Sequence, residues 1–213
     1  MSFLIQPDLS VSPATLPPHP YVFPLDPFQQ HALCAIAKEE HVLVCAKTGS
    51  GKTLVGEYQI YHSLSKGMRV FYTTPIKSLS NQKFQDLKEQ FREATVGIMT
   101  GDIKFAPQAD IVIMTTEILR NLLFKQGTET EKVGITAELS LVNLDAVVFD
   151  EVHYINDRSR GNVWEECLVL LPPEINLVLL SATLDTPEPF VNWLTNLKQK
   201  PCHLISTEYR VVP

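Results

Sequence analysis

Residues 46–53 combine small, basic and hydroxyl side chains in an order that suits phosphate binding. They read AKTGSGKT, and they join the apolar run HVLVCA at 41–46 to a helical pattern at 51–67. A loop of this composition between a strand and a helix is typical of a P-loop, although Ala46 stands where the strict pattern has glycine. The alternative is a strand-to-helix connection without a ligand.

Each residue type in this loop has a physical reason to contact a nucleotide. Gly49 and Gly51 allow the backbone to turn its N–H groups towards phosphate oxygens, next to the positive end of the following helix. Lys52 supplies a full charge to the β- and γ-phosphates, and the hydroxyl of Thr53 can bind Mg²⁺. The predicted phosphate-binding set is Thr48, Gly49, Ser50, Gly51, Lys52 and Thr53.

Two acidic residues end another apolar run, LDAVVFDE at 144–151. Asp150 is suited to hold Mg²⁺, through water, and Glu151 is suited to polarise the water that attacks the γ-phosphate. Acids at strand ends are often only helix caps, so this prediction depends on the P-loop. Together the two patterns predict a magnesium-nucleotide site with Lys52, Asp150 and Glu151 as its catalytic residues. Thr53, Asp150 and Glu151 are the predicted metal-binding residues.

The rest of the chain alternates between strand and helix patterns. The predicted strands are 41–46, 68–74, 96–101, 109–116, 144–151, 175–183 and 202–207. The predicted helices are 51–67, 76–94, 117–126 and 187–198, and residues 127–140 are a predicted loop or flap. This alternation predicts an α/β fold whose mostly parallel sheet carries helices on both faces. Ligands of such sheets bind at the carboxyl ends of the strands.

The first 22 residues differ from the rest in composition. Seven of the fifteen prolines lie within the first 27 residues, which excludes a long helix there. We interpret residues 1–22 as an extended leader. It is either a plain linker or a segment that wraps around the body or a partner.

Composition and length exclude several classes of protein. The 213 residues, 45% hydrophobic, suffice for one domain with its own core. No apolar stretch reaches the length of a membrane span, and the first residues lack a secretory signal pattern. The chain is therefore expected to be intracellular, with the cytoplasm as the first expectation and the nucleus or an organelle as alternatives. A net charge of -6 argues against a generally basic surface but leaves room for a local basic groove.

Several further motifs accompany the P-loop and the acidic pair. Residues 150–153 read DEVH and begin 98 positions after Lys52, and SAT follows at 181–183. TTPIKSLSNQ, TGD, MTTE, RGNVWEE and FPLDPFQ lie at 73–82, 100–102, 114–117, 160–166 and 23–29. Together these motifs resemble the Ski-like DExH-box RNA helicases of superfamily two over residues 23–213. The resemblance implies a RecA-like P-loop NTPase fold and ATP with Mg²⁺ as cofactors.

The resemblance also assigns roles around the nucleotide. It implies that Gln29 hydrogen-bonds the adenine edge and that Phe23 packs on the base, although Phe23 also fits a core position. His153, Ser181 and Thr183 would couple hydrolysis to domain movement.

A second set of residues would line the path of an RNA strand. The resemblance assigns this role to Pro75, Lys77, Asn81, Gln82, Thr115, Thr116 and Arg120. Hydroxyls, amides and cations of this kind contact phosphates and sugars without reading sequence. Lys77 and Arg120 also fit solvated helix charges, and Asn81 and Gln82 fit a helix cap. Trp164 and Trp193 fit core packing better than base stacking.

The resemblance divides the chain into a leader at 1–22, an ATP-binding RecA-like domain at 23–206 and the start of a hinge at 207–213. A second RecA-like domain, which would supply arginine fingers, is expected as a partner, as are RNA and an RNA-decay complex. The implied function is ATP-dependent unwinding of RNA from 3′ to 5′, with weak activity for this domain alone. A binding module without catalysis and a DNA helicase domain remain alternatives.

Overall fold

The computed structural model describes residues 4–126, 139–156, 161–182, 184 and 186–207. The strands are β1 Leu4–Ile5, β2 His41–Ala46, β3 Arg69–Thr74, β4 Val96–Met99, β5 Lys104–Phe105, β6 Ile111–Thr115, β7 Leu144–Phe149, β8 Asn176–Ser181 and β9 Cys202–Thr207. The helices are α1 Pro27–Ala37, α2 Thr53–Ser65, α3 Lys77–Gln90, α4 Thr116–Gln126, α5 Gly161–Leu170 and α6 Pro187–Lys198, with a 3₁₀ helix at Val152–Asn156.

These strands form one sheet in the order β1-β9-β2-β8-β7-β3-β6-β4-β5. Every pairing within the described ranges is parallel except β4 with β5. The parallel strands therefore end at a common side of the sheet, which we call the carboxyl edge. The loops after β2, β8, β7, β3, β6 and β4 all leave from this edge, where ligands of such sheets bind.

Helices cover both faces of the sheet, as predicted. Along β8, Leu177 and Leu179 pack in the core with α4, α5 and α6, whereas Val178 and Leu180 pack with α1, α2 and α3. This alternation follows from the two-residue period of a strand, and both faces of β8 are apolar because both are covered. No helix in the described part of the chain is long and apolar enough to cross a membrane.

The structure contains elements that the sequence patterns did not predict. They are α1, α5, the 3₁₀ helix and the two-residue strands β1 and β5. Helix α1 begins with Pro27 directly after its N-cap residue Asp26, whose backbone N–H donates to Gln29 Oε1 over 2.9 Å. Asp26, Pro27 and Gln29 form a helix-start pattern, although residues 23–29 were assigned only to an adenine-contacting motif. Most of the predicted loop at 127–140 lies outside the described residues.

Residues 4–22 lie against the body of the protein. His31 Nε2 is 2.8 Å from the carbonyl oxygen of Val11, and the Tyr58 hydroxyl donates to the carbonyl of Pro18 over 3.4 Å. Strand β1 extends the sheet by pairing with β9. These contacts favour the interpretation that this segment wraps around the body. The domain boundaries at residues 22 and 206 remain predictions.

Candidate functional site

The loop after β2 has the backbone that phosphate binding requires. Gly49 and Gly51 both adopt a φ of 82°, a region that L side chains rarely occupy. A Cβ atom at Gly51 would lie 2.8 Å from Gln29 Nε2, so a larger residue there would displace the Gln29 amide. Lys52 follows at the start of α2 and is only 6% exposed. The loop thus presents backbone donors and one buried ammonium at the carboxyl edge.

The acidic pair lies two strands away, at the end of β7. The backbone N–H of Asp150 donates to the carbonyl of Thr73 over 3.0 Å. Glu151 adopts a φ of 55°, and its N–H donates to Asp150 Oδ1 over 3.0 Å. A left-handed backbone at a non-glycine residue is strained and persists where the surroundings impose it. Glu151 Oε1 lies 4.0 Å from Lys52 Nζ, so the two predicted halves of the site converge.

Asp150 has a further partner in Tyr72, on β3. The Tyr72 hydroxyl donates to Asp150 Oδ2 over 2.8 Å, and the Tyr72 side chain is fully buried. Burial, followed by the charge of Asp150, raises the pKa of Tyr72 well above its usual value. The hydroxyl is therefore protonated at neutral pH and acts as the donor in this bond.

Two buried oxygen atoms at the site have no hydrogen-bond partner among the described residues. They are Ser50 Oγ, in the phosphate-binding loop, and Glu151 Oε2. Buried polar atoms are rarely left without hydrogen-bond partners, and exceptions point to a bound ligand or a functional role. Thr53 begins α2 directly after the phosphate-binding loop, and Asp150 directly precedes Glu151. Their oxygen atoms complete a donor set that fits a nucleotide with Mg²⁺, a cation that prefers oxygen ligands.

The predicted coupling residues adjoin this site. His153 lies in the 3₁₀ helix, with Nδ1 3.3 Å from Glu151 Oε2, within ion-pair range but outside hydrogen-bonding geometry. Ser181 ends β8, is fully buried and aligns with Cys45 on β2. The strand that carries Ser181 thus lies between the strands of the P-loop and the acidic pair. Thr183 lies outside the described residues.

The predicted adenine-reading residues lie beside the P-loop. Gln29 is 5% exposed, and its Nε2 donates to the carbonyl of Gly51 over 3.2 Å. Its Oε1 accepts from Asp26, so the amide already joins the start of α1 to the phosphate-binding loop. Phe23 is 52% exposed and stands 5.6 Å from the Tyr21 ring, so it is not a core residue. Adenine contact by these two side chains remains a prediction.

The predicted strand-path residues leave the same edge farther along the sheet. Pro75 follows β3, and Lys77, Asn81 and Gln82 lie on the first turns of α3. Thr115 ends β6, while Thr116 and Arg120 lie on α4. We call the loops after β2, β8 and β7 the nucleotide half of the carboxyl edge. The loops after β3, β6 and β4, with the first turns of α3 and α4, form the strand-path half.

The cations of the strand-path half are paired with carboxylates. Lys77 forms an exposed ion pair with Asp102, and this contact holds the pKa of Asp102 below its usual value. Arg120 pairs through Nε with Glu166 on α5, and its guanidinium lies 5.1 Å from the centre of the Phe124 ring. Each cation thus has a partner that an incoming phosphate would have to replace.

The other members of this half differ in accessibility. Asn81 and Gln82 are exposed, whereas Pro75 and Thr115 are buried. Thr116 is 1% exposed, and its hydroxyl donates to the carbonyl of Thr74 over 3.4 Å. Thr116 therefore braces the junction of β3 and β6 in this structure, and its contact with a strand stays a prediction.

Comparison with known proteins identifies the family. A model of the DEAD/DEAH box helicase family matches residues 26–190, which include the P-loop, the acidic pair and the strand-path half.

This chain belongs to the DEAD/DEAH box helicases.

Relatives within this helicase family agree with the sequence resemblance. The chain is 43% identical to the ATP-dependent RNA helicase mtr4 of Schizosaccharomyces pombe over 92% of its length. It is 42% identical to the human exosome RNA helicase MTR4 over 91%, and 43% identical to the antiviral helicase SKI2 of Saccharomyces cerevisiae over 92%. The expected membership of the Ski-like group is confirmed. The chain spans only 16%, 17% and 14% of the length of these three relatives.

Solved structures confirm the fold. A hypothetical ATP-dependent RNA helicase from Sulfolobus tokodaii superposes with a TM-score of 0.64, at 21% identity, over 84% of this chain and 52% of that one. The DUF1998 helicase MrfA gives the same TM-score at 22% identity, over 89% of this chain and 31% of that one. The predicted α/β, RecA-like architecture is therefore confirmed.

Sequence reasoning missed Tyr72 in this helicase domain. Tyr72 stands within the apolar strand RVFYTT, where an aromatic residue indicates a core position. The available signal for the contact with Asp150 was the Tyr72 hydroxyl, because a buried tyrosine hydroxyl needs a hydrogen-bond partner. Trp164 is buried against Phe149, as predicted, whereas Trp193 is 38% exposed.

Proposed function

We propose that this chain is the ATP-binding domain of an ATP-dependent RNA helicase, with Mg²⁺ as the metal that accompanies ATP. The distance of 4.0 Å between Lys52 Nζ and Glu151 Oε1 carries this proposal, because it brings a phosphate-binding cation and a candidate general base to one site. Sequence identities above 40% to relatives named as RNA helicases support the reaction class.

The residues of the nucleotide half would divide the reaction between them. Lys52 and the N–H groups around Gly49 and Gly51 hold the β- and γ-phosphates and stabilise the charge that develops there. Glu151 orients the attacking water and accepts its proton, a role permitted by Oε2, which has no hydrogen-bond partner among the described residues. Thr53 and Asp150 are the residues that would hold Mg²⁺, which neutralises phosphate charge when bound.

The strand-path half would hold RNA through its backbone. Lys77 and Arg120 exchange their carboxylate partners for phosphates, and the exposed amides of Asn81 and Gln82 contact sugar or phosphate oxygens. A second RecA-like domain, in the same polypeptide or added separately, would cover the exposed loop at Thr48 and Gly49 and supply arginine fingers. The complete enzyme would move from 3′ to 5′ and act within an RNA-decay complex.

RNA-stimulated ATP hydrolysis tests the proposed function. The chain is assayed with a separately produced second RecA-like domain, as wild type, as Glu151→Gln and as Glu89→Gln. Glu89 is an exposed glutamate near the carboxyl end of α3 and serves as the matched control. Loss of the general base is expected to lower the rate about 10²–10⁴-fold in Glu151→Gln only.

Equal rates for Glu151→Gln and the wild type would contradict the proposal. Competition between RNA and DNA strands of the same sequence then identifies the nucleic acid, because only the 2′-hydroxyl distinguishes their backbones. A preference for DNA would identify DNA rather than RNA as the substrate, and the proposed hydrolytic site would be unchanged.

A further inference from the structure

Tyr72 reaches from the interior of the sheet to the metal-binding carboxylate. On β3 it aligns with Val148 of the neighbouring strand β7, which lies two residues before Asp150. Its side chain extends from this level to the carboxyl edge, where the hydroxyl donates to Asp150 Oδ2 over 2.8 Å. The contact therefore joins two neighbouring strands at the point where the nucleotide half meets the strand-path half.

Both carboxylate oxygens of Asp150 are held by protein donors. Oδ2 accepts from the Tyr72 hydroxyl, and Oδ1 accepts from the backbone N–H of Glu151. One donor on each oxygen fixes the rotation of the carboxylate about its own axis. Each oxygen keeps a second acceptor position, so the group can still receive a metal ion or its water.

Core packing alone does not account for the hydroxyl. Phenylalanine would fill the same volume, and burying a hydroxyl costs free energy unless it is hydrogen-bonded. Because Tyr72 is fully buried, its hydroxyl carries this cost, and the hydrogen bond to Asp150 offsets it. Partners that orient a metal-binding carboxylate affect metal affinity strongly, with typical losses of about 10–100-fold when they are removed.

We propose that Tyr72 is a positioning residue for Mg²⁺-nucleotide binding, because its hydroxyl orients the Asp150 carboxylate towards the metal. This inference depends on the proposed function and adds to it a residue outside the helicase motifs. Strand β3 ends at Thr74 and leads directly to Pro75, so one strand carries the contact to the Asp150 carboxylate and leads into the strand-path half.

Equilibrium binding of fluorescent methylanthraniloyl-AMPPNP, with Mg²⁺ and with EDTA, tests this role. Tyr72→Phe removes only the hydroxyl. The matched control is Tyr58→Phe, at a second buried tyrosine, whose hydroxyl donates to the carbonyl of Pro18. We expect Mg²⁺ to increase the affinity of the wild type and of Tyr58→Phe equally. In Tyr72→Phe this Mg²⁺-dependent increase should shrink about 10-fold, while affinity in EDTA stays within about twofold of wild type.

The outcomes separate this inference from the proposed function. A wild type that gains no affinity from Mg²⁺ would contradict the proposed nucleotide site. A normal gain in Tyr72→Phe would overturn the positioning role alone. An equal loss in Mg²⁺ and in EDTA would assign Tyr72 a structural role and also overturn it.

A second measurement covers the case in which Tyr72→Phe does not fold. A crystal structure of the wild-type chain with Mg²⁺ and AMPPNP should retain the hydrogen bond between Tyr72 and Asp150. Separation of the hydroxyl from the carboxylate by more than about 3.5 Å would overturn the proposal.

Discussion

The two halves of the carboxyl edge hold their cations in different ways. In the nucleotide half, Lys52 is buried, two glycines hold positive φ angles and Glu151 adopts a left-handed backbone. In the strand-path half, Lys77 and Arg120 are partly exposed and paired with carboxylates. The geometry of the nucleotide half is fixed by its backbone conformation, whereas the strand-path half relies on side chains that can exchange partners.

This difference suits the two proposed ligands, a nucleotide and a nucleic-acid strand. A nucleotide is bound at a fixed place, and a buried charge there interacts strongly with phosphate because the local dielectric constant is low. A strand that must move from step to step needs contacts that break readily, and exposed ion pairs contribute only about 0–1 kcal/mol each. The comparison predicts that substitutions in the first half have large, ligand-specific effects and that those in the second half have small, salt-dependent ones.

Substitution of Lys52 is expected to have the largest effect and tests whether the two halves act separately. Lys52→Ala removes a charged donor from the phosphates and should weaken nucleotide binding about 100-fold, from a loss of about 2–3 kcal/mol. Binding of single-stranded RNA without nucleotide should stay within about twofold, as measured by fluorescence anisotropy. Lys47→Ala, at an exposed lysine of the same loop, is the control. A parallel loss of RNA affinity would show that the two halves are not separate.

His41 tests the stability of the strands that carry the nucleotide half. This residue begins β2, is fully buried and accepts a hydrogen bond at Nδ1 from the Leu177 N–H. Burial, aided by the charges of Lys200 and Lys198, lowers the pKa of His41 to about 3. The unfolded chain binds a proton at about pH 6.5 and the folded chain does not, so folding stability is lost as the pH falls below 6.5 towards 3.

Between pH 7 and pH 5 this protonation should cost about 2 kcal/mol of unfolding free energy. His41→Asn keeps an acceptor near Nδ1 and should reduce the acid-induced loss by about that amount in urea unfolding measured at both pH values. His31→Asn, at a partly exposed histidine, should retain the wild-type loss. An unchanged loss in His41→Asn would place the acid sensitivity elsewhere in the fold.

Glu166→Gln is expected to have the smallest effect of these substitutions, and it tests the strand-path half. Glu166→Gln releases Arg120 from its carboxylate, so RNA affinity at low salt should rise about threefold, with a steeper salt dependence. Glu165→Gln makes the same change in net charge at an exposed neighbour and should have less effect. Equal effects of the two substitutions would mean that net charge, rather than the ion pair, limits RNA binding.

The sequence predicted the nucleotide half better than the strand-path half because local rules govern the first. Glycine at positive φ, lysine at a helix start and acids at a strand end each follow from nearby residues, and parallel pairing brings them together. The partners of Lys77 and Arg120 could not be predicted in this way. Asp102 and Glu166 are 25 and 46 positions away from them, and such side-chain pairs depend on tertiary packing.

The fold shows the same division between local and distant information. The bounds of α6 and β9 agree with the predicted ranges 187–198 and 202–207 because their apolar periods are clear. Helix α5 was missed because GNVWEECLVL mixes motif residues with a short apolar stripe. Tyr72 was predicted only as part of a strand, since its bond to Asp150 joins residues 78 positions apart.

The two outermost strands of the sheet, β1 and β5, each contain two residues in the described part of the chain. Open strand edges are templates on which another polypeptide can add a strand, and short or charged outer strands discourage this pairing. Lys104 adds such a charge on β5. Within the described residues, both outer strands are therefore too short to offer a long edge for pairing, while the carboxyl edge stays accessible to ligands.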